Sequence, residues 1–187
     1  MFGFVKRITV LSLLISLVAA APTVHRRQSA CFLVGKTALP AEVSSGVSAL
    51  ASQVTCGTKT IANTGGVPDV TSGGISFSSI DFQSSQRARL VCSGYFQDPR
   101  DPATANLATL QNQLNTYLAM EAGVEYVPTI SGTKFFLQFQ IARVRTAQGA
   151  KLGATDTVEH QLGKVLKNAV GATQAEKDAV TALSKQL

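Results

Sequence analysis

The sequence predicts a mainly α-helical single domain, a bundle-like arrangement of about five helices with an irregular Gly/Ser-rich insertion that has room for short strands. Two observations carry this prediction. Apolar residues recur at helical spacing in several segments, and good capping residues flank those segments. Residues 57–85, in contrast, are rich in Gly, Ser and Thr and poor in charge. We expect the mature domain to span 28–187, with 57–100 as the insertion.

The first predicted helix covers Ala41–Val54. Pro40 stands at its start, where proline is favoured, and Gly57 follows its end. The helical stripe consists of Val43, Val47, Leu50, Ala51 and Val54.

The insertion that follows contains turn signals and two short alternating pairs, Ile75/Phe77 and Ile80/Phe82. These pairs allow short strands or extended loop, but none has the length of a stable sheet. Residues 86–100 are interpreted as an irregular loop, with retained intron sequence as the alternative.

Two longer helices are predicted next. Asp101–Pro102 offers an N-cap and a first helical residue, and Gly123 offers a stop. The segment 134–148 is ambiguous, because four apolar residues alternate as in a strand while its length and Gly149 favour a mostly buried helix. The helix is the interpretation we adopt. The alternating residues are Phe135, Leu137, Phe139 and Ile141.

The last two helices begin with capping signatures. Asp156 and Glu159 precede one apolar stripe, which ends near Gly171, and Thr173 and Glu176 precede a shorter one. The short connections between the later helices suggest antiparallel neighbours.

The amino terminus has the pattern of a secreted precursor. Residues 1–20 combine a short positive region with the apolar run Ile8–Val18, which indicates a signal peptide. That run is shorter than the ~20 residues that span a bilayer, so we expect a protein that is not transmembrane. Residues 21–27 form a predicted pro-segment that ends in the dibasic processing site Arg26–Arg27, which would leave Gln28 first.

Removal of this leader changes the charge. The precursor has 17 basic and 11 acidic residues, a net charge of +6. The leader carries four of the basic residues and none of the acidic ones, which leaves a net charge of about +2. Nucleic-acid binding calls for a strongly basic, clustered surface, so we expect no nucleic-acid partner.

Three cysteines are present, and a secretory route favours one disulfide. We favour Cys31–Cys56, because these two flank the first helix, with Cys56–Cys92 as the runner-up. With three cysteines and the single mature histidine His160 widely spaced, we expect no metal site and no cofactor.

Known catalytic motifs are incomplete. Gly35-Lys36-Thr37 resembles the end of a phosphate-binding loop, but Ala30 occupies the position of the required first glycine. His160 lies within a predicted helix beside Glu159, where a solvated role is expected. Glu121 and Glu125 could form a carboxylate pair, but glycosidase clefts usually add aromatic platforms and the chain has no Trp.

Two further groups are candidate contacts. Phe135, Phe136 and Phe139 could line a site for a hydrophobic ligand, although such a stripe is usually core. Arg143 and Arg145, with Lys134 and Lys151 nearby, could pair with Glu121 or Glu125 across a helix interface or form a modest charged surface patch, and the structural role is the one we expect.

With the leader, the dibasic site and the segments KFFLQFQIARVRTAQG and TVEHQLGKVLKNAVGA, the chain resembles the uncharacterised small secreted proteins of mushroom-forming fungi, whose precursors are processed by kexin-type proteases. The resemblance implies a location and no mechanism. We therefore expect a non-enzymatic extracellular protein that binds a partner or surface. A secreted hydrophobic-ligand carrier and a diverged hydrolase are the alternatives.

Overall fold

The computed structural model describes residues 30–34, 39, 41–80, 101–124 and 128–187. Within these residues the chain forms six helices and one three-stranded sheet, which confirms the predicted mainly α fold with short strands. The sheet lies in the N-terminal part, and the four helices of the C-terminal part follow it. The predicted signal peptide (1–20), the pro-segment (21–27) and the loop at 86–100 lie outside the described residues.

Residues 55–76, which include the first part of the predicted insertion, form a small antiparallel sheet. Helix α1 (Ala41–Ala51) leads into β1 (Thr55–Thr60), β2 (Pro68–Ser72) and β3 (Ile75–Ser76), which pair in the order β1-β2-β3. The expectation that no strand here could support a sheet was wrong. The central strand β2 packs on helix α3 (Leu107–Gly123), and packing on a helix is what stabilises so small a sheet.

A single helical turn fastens the end of this sheet to α3. Helix α2 (Phe77–Ile80) stands where the sequence suggested alternating strand residues. The Phe77 ring meets the Tyr117 ring edge to face, with centroids 5.1 Å apart. The Tyr117 hydroxyl donates to the Ile80 carbonyl oxygen at 2.8 Å, so both the ring and the polar tip of Tyr117 hold α2.

Helix α3 begins later than predicted. Its N-cap is Asn106, whose side chain accepts from the Thr109 backbone N–H at 3.2 Å. Asp101 instead caps a separate turn and accepts from the Ala103 N–H at 3.1 Å. The helix ends at Gly123 as predicted.

Helix α4 (Pro128–Ala147) confirms the helical interpretation of 134–148 and extends it toward the N-terminus. It lies antiparallel to α3, because Lys134 near its start contacts Glu121 near the end of α3, while Gln148 after its end donates to the Ala105 carbonyl before α3. Most of its faces are buried, which explains why its apolar pattern is not a clean stripe. None of the described helices, α4 included, is long and apolar enough to cross a bilayer.

The last two helices are α5 (Val158–Asn168), which packs on α4, and α6 (Gln174–Leu183). Thr173 and Glu176 form the predicted capping box of α6. The N-cap of α5 is Thr157, which accepts from the His160 N–H at 3.3 Å, and not the predicted Asp156. Both residue types are good N-caps, so the sequence pattern located this start to within one residue.

Candidate functional site

Four helices surround an open groove of about 630 Å³. Helices α3 and α4 pack together, α1 packs on α3 and α5 packs on α4, and all four contribute lining side chains. The volume falls within the ~300–1,000 Å³ range of small-molecule sites. We call this space the groove. Its apolar lining residues are Val47, Ala49, Leu50, Leu118, Ala122 and Phe135.

A buried ion pair occupies the part of the groove where α3 ends and α4 begins. The Lys134 ammonium lies 2.7 Å and 2.8 Å from the two carboxylate oxygens of Glu121. The side chains are 13 % and 3 % exposed, respectively. Lys134 also lies 4.8 Å from the centroid of the Phe135 ring. Each charge is therefore largely neutralised inside the protein, because its partner is close and solvent is mostly excluded.

A network of side-chain amides forms another part of the groove lining. The Asn115 amide nitrogen donates to the Gln53 side-chain oxygen at 2.7 Å and to the Ser72 hydroxyl at 3.2 Å. The Asn115 oxygen accepts from the Gln111 amide at 3.1 Å. Because these groups satisfy one another, the end of α1, strand β2 and helix α3 are held together at this part of the groove.

The remaining charges of the groove come from α5. Lys164 is half-buried and Lys167 is exposed, and both line the groove together with Asn168. Within the described part of the chain neither ammonium has a carboxylate within salt-bridge distance. These two lysines therefore differ from Lys134, whose charge is already matched.

The three phenylalanines predicted as ligand lining are separated by the turn of α4. Phe135 lines the groove. Phe136 and Phe139 are 7 % and 0 % exposed and lie in the hydrophobic core, so they do not line it. Phe136 follows Phe135 directly and therefore points about 100° away from it around the helix. Phe139 lies one turn later on the same side of α4 as Phe135, but at that position the helix is buried in the core.

Arg143 was a candidate for a surface patch or for an ion pair, and the surface alternative was wrong. Its side chain is completely buried and donates to the side-chain oxygen of Gln140 and, at 2.9 Å, to the Gln186 backbone carbonyl. Lys134, one of the basic residues named with it, forms an ion pair with Glu121. Arg145 is half-buried and Lys151 is exposed.

The catalytic candidates that the structure describes do not converge on the groove. His160 is exposed in the first turn of α5 and is not a groove residue. Glu121 is bound to Lys134, and Glu125 and the Gly35-Lys36-Thr37 segment lie outside the described residues. Among the residues that the structure describes, no three His, Cys, Asp or Glu side chains are grouped so that they could hold a metal ion.

A disulfide joins Cys31 to Cys56, the pairing favoured from the sequence, with the two Cα atoms 6.1 Å apart. Cys56 is thereby unavailable to the alternative partner Cys92, which lies outside the described residues, as do the processing residues Arg26 and Arg27. The loop closed by this bond contains α1, one wall of the groove.

Comparison with known proteins gives one match. A family model described as a domain of unknown function, DUF7143, matches residues 33–187. This span includes all four helices that line the groove. No curated protein and no solved structure matches the chain.

Proposed function

The chain belongs to the DUF7143 family, a domain of unknown function, and we propose that it is a small extracellular protein that binds a ligand without catalysing a reaction. The observation that carries the proposal is the groove, which is open to solvent and of the size of a small-molecule site. Its lining combines an apolar surface with polar groups that are held in place by their own hydrogen bonds. Such a lining suits recognition.

Extracellular location is supported by three observations. Residues 1–20 have the signal-peptide pattern, and Arg26–Arg27 follow at the position of a kexin-type processing site. The Cys31–Cys56 disulfide is typical of proteins that mature in an oxidising compartment. Together with the resemblance to small secreted proteins of mushroom-forming fungi, these features support a secreted, processed fungal product that begins at Gln28.

The hydrophobic-ligand carrier is the second candidate, and one observation favours it. The α1 side of the groove presents Val47, Ala49 and Leu50, and Phe135 adds an aromatic surface from α4. The diverged hydrolase has less support, because Glu121 is bound to Lys134 and His160 lies away from the groove. Both leading candidates use the same site, so one experiment addresses them together.

The groove is tested by filling it. Gly46 lies on α1 and lines the groove, and a Cβ added there meets no heavy atom within 4 Å. A side chain can therefore be added at Gly46 without a clash at its Cβ, and we expect the indole of Gly46→Trp to occupy part of the groove. Gly163→Trp is the matched control, because Gly163 is exposed on α5, is equally unobstructed and does not line the groove.

The probe is N-phenyl-1-naphthylamine, an uncharged fluorophore that brightens in apolar surroundings. We expect the wild type and Gly163→Trp to bind it with the same affinity, and Gly46→Trp to bind it at least about tenfold more weakly. Equal binding by all three proteins, or no binding by the wild type, would refute the groove as a ligand site. Native mass spectrometry of the secreted protein reports its N-terminus, its disulfide state and any co-purifying ligand. A measured mass that does not correspond to a chain beginning at Gln28 contradicts the processing step.

A further inference from the structure

We infer that the ligand of the groove is an acidic amphiphile, a small molecule with an apolar chain and one anionic head group. The inference rests on the proposed binding function and adds the chemical class of the ligand. It follows from the difference between two sides of the groove. The α1 residues whose side chains the structure describes in the lining, Gly46, Val47, Ala49 and Leu50, are all uncharged, while helix α5 contributes Lys164 and Lys167.

The net charge of the groove determines the sign of the head group. The lining contains three lysines and one glutamate, and Lys134 and Glu121 neutralise each other. The lining that the structure describes therefore carries a net charge of +2, and both charges that remain lie on α5. An anionic group bound there gains attraction from both lysines, whereas a cationic group is repelled by both.

The spacing of the two lysines suits a single anion. Residues three positions apart lie on the same face of a helix, with Cβ atoms ~5–6 Å apart, so two flexible ammonium groups can reach one carboxylate. The carboxyl end of α5 carries a partial charge of about −0.5, which two full positive charges exceed. The aliphatic stems of the lysines can extend the apolar surface toward the chain of the ligand.

The groove supplies an apolar path for that chain. Val47 and Leu50 on α1, Leu118 and Ala122 on α3, and Phe135 on α4 all line it. Burial of each methylene group strengthens binding by roughly fourfold, so a chain of several carbons provides most of the affinity while the head group provides the selectivity.

The inference is tested by displacement of N-phenyl-1-naphthylamine with three ligands that share a ten-carbon chain: decanoate, decanol and decyltrimethylammonium. In the wild type we expect decanoate to bind about tenfold more tightly than decanol, because each lysine contributes roughly a factor of three to five near the protein surface. Decyltrimethylammonium should bind most weakly. Added salt should reduce the preference for decanoate.

The lysines are tested by Lys164→Gln/Lys167→Gln, which should bind decanoate and decanol equally. Lys164→Arg/Lys167→Arg should retain the preference, since it keeps both charges. Lys151→Gln/Lys177→Gln, which removes two lysines that do not line the groove, should also retain it. These comparisons separate local charge from the net charge of the protein.

Several outcomes overturn the inference. Equal affinity of the wild type for decanoate and decanol, a preference for the cationic ligand, or a preference that survives Lys164→Gln/Lys167→Gln each refutes it. In these cases the proposed function stands as long as Gly46→Trp still prevents binding of the fluorophore. Binding that is insensitive to Gly46→Trp refutes the proposed function itself.

Discussion

A methyl group added at Gly123 should destabilise the protein, although alanine is the better helix former. Gly123 is the last residue of α3 and is buried. A Cβ there would lie 2.6 Å from the Phe32 carbonyl oxygen and 2.8 Å from the nearer methyl carbon of Val67. Its backbone does not have a positive φ, so the glycine is required for close approach and not for an unusual backbone conformation.

The magnitude follows from two opposing effects. Overpacking a well-filled interior costs about 1–3 kcal/mol, and the clash with Phe32 is with the backbone, which the adjacent Cys31 disulfide restrains. Higher helix propensity returns at most ~1 kcal/mol. We therefore expect Gly123→Ala to lower the free energy of unfolding by about 1–2 kcal/mol.

Gly163→Ala is the matched comparison. Gly163 is exposed within α5, and an added Cβ meets no heavy atom within 4 Å. Here only propensity acts, so we expect a stabilisation of about 0.5–1 kcal/mol. The assay is urea unfolding followed by far-UV circular dichroism, without added oxidant or reductant, so that the disulfide stays intact. The m-value checks that unfolding is two-state. Equal effects of the two substitutions, or a stabilised Gly123→Ala, would refute the close-packing argument.

Three further predictions concern the ion pair, the disulfide and a helix cap. Lys134→Met should lower the free energy of unfolding by about 3 kcal/mol, because the buried Glu121 carboxylate loses this ammonium. In a double-mutant cycle measured by urea unfolding, adding Glu121→Gln should recover much of that loss. A loss below ~1 kcal/mol for Lys134→Met contradicts the burial argument. Cys31→Ser/Cys56→Ser should lose about 3.5 kcal/mol for a separation of 25 residues, and thermal unfolding of the reduced wild type should match that variant. Thr173→Ala should cost about 1 kcal/mol and speed amide hydrogen exchange in α6, whereas unchanged exchange there speaks against the capping box.

A helix start could be predicted from the sequence where the apolar pattern and the capping residues indicate the same position. It could not be predicted where two capping residues compete. The Thr173–Glu176 capping box was predicted to the residue because both side chains act within one turn. At α3 both Asp101 and Asn106 are good caps. Contacts from elsewhere favour the later start, because Gln148 beyond α4 donates to the Ala105 carbonyl and holds the preceding segment outside the helix.

The sheet and the buried arginine depend on contacts that local patterns do not contain. Strand β2 is short, and its stability comes from packing on α3, where Val70 is completely buried. Arg143 is satisfied in part by the carbonyl of Gln186, which lies 43 positions along the chain. An interpretation based only on residues that are close in sequence therefore places the arginine at the surface, where arginine is usually found.

The groove could be predicted only in part. Phe135 was identified as a candidate lining residue and does line the groove. Phe136 and Phe139 were proposed with it, and only the orientation of α4 shows that these two lie in the core. Lys164 and Lys167 carried a usable signal, since residues three apart share a helix face. Their relation to the groove depends on the position of α5, which lines the groove together with the uncharged residues Val47, Ala49 and Leu50 of α1.

The disulfide has a consequence for affinity as well as stability. Because Cys31 and Cys56 enclose α1, the apolar wall of the groove belongs to a covalently closed loop. The disulfide restricts the conformations of this loop before a ligand binds, so less conformational entropy is lost on binding. Such pre-organisation strengthens binding without adding a contact. The oxidised protein should therefore hold a groove ligand more tightly than its reduced form, even where both are folded.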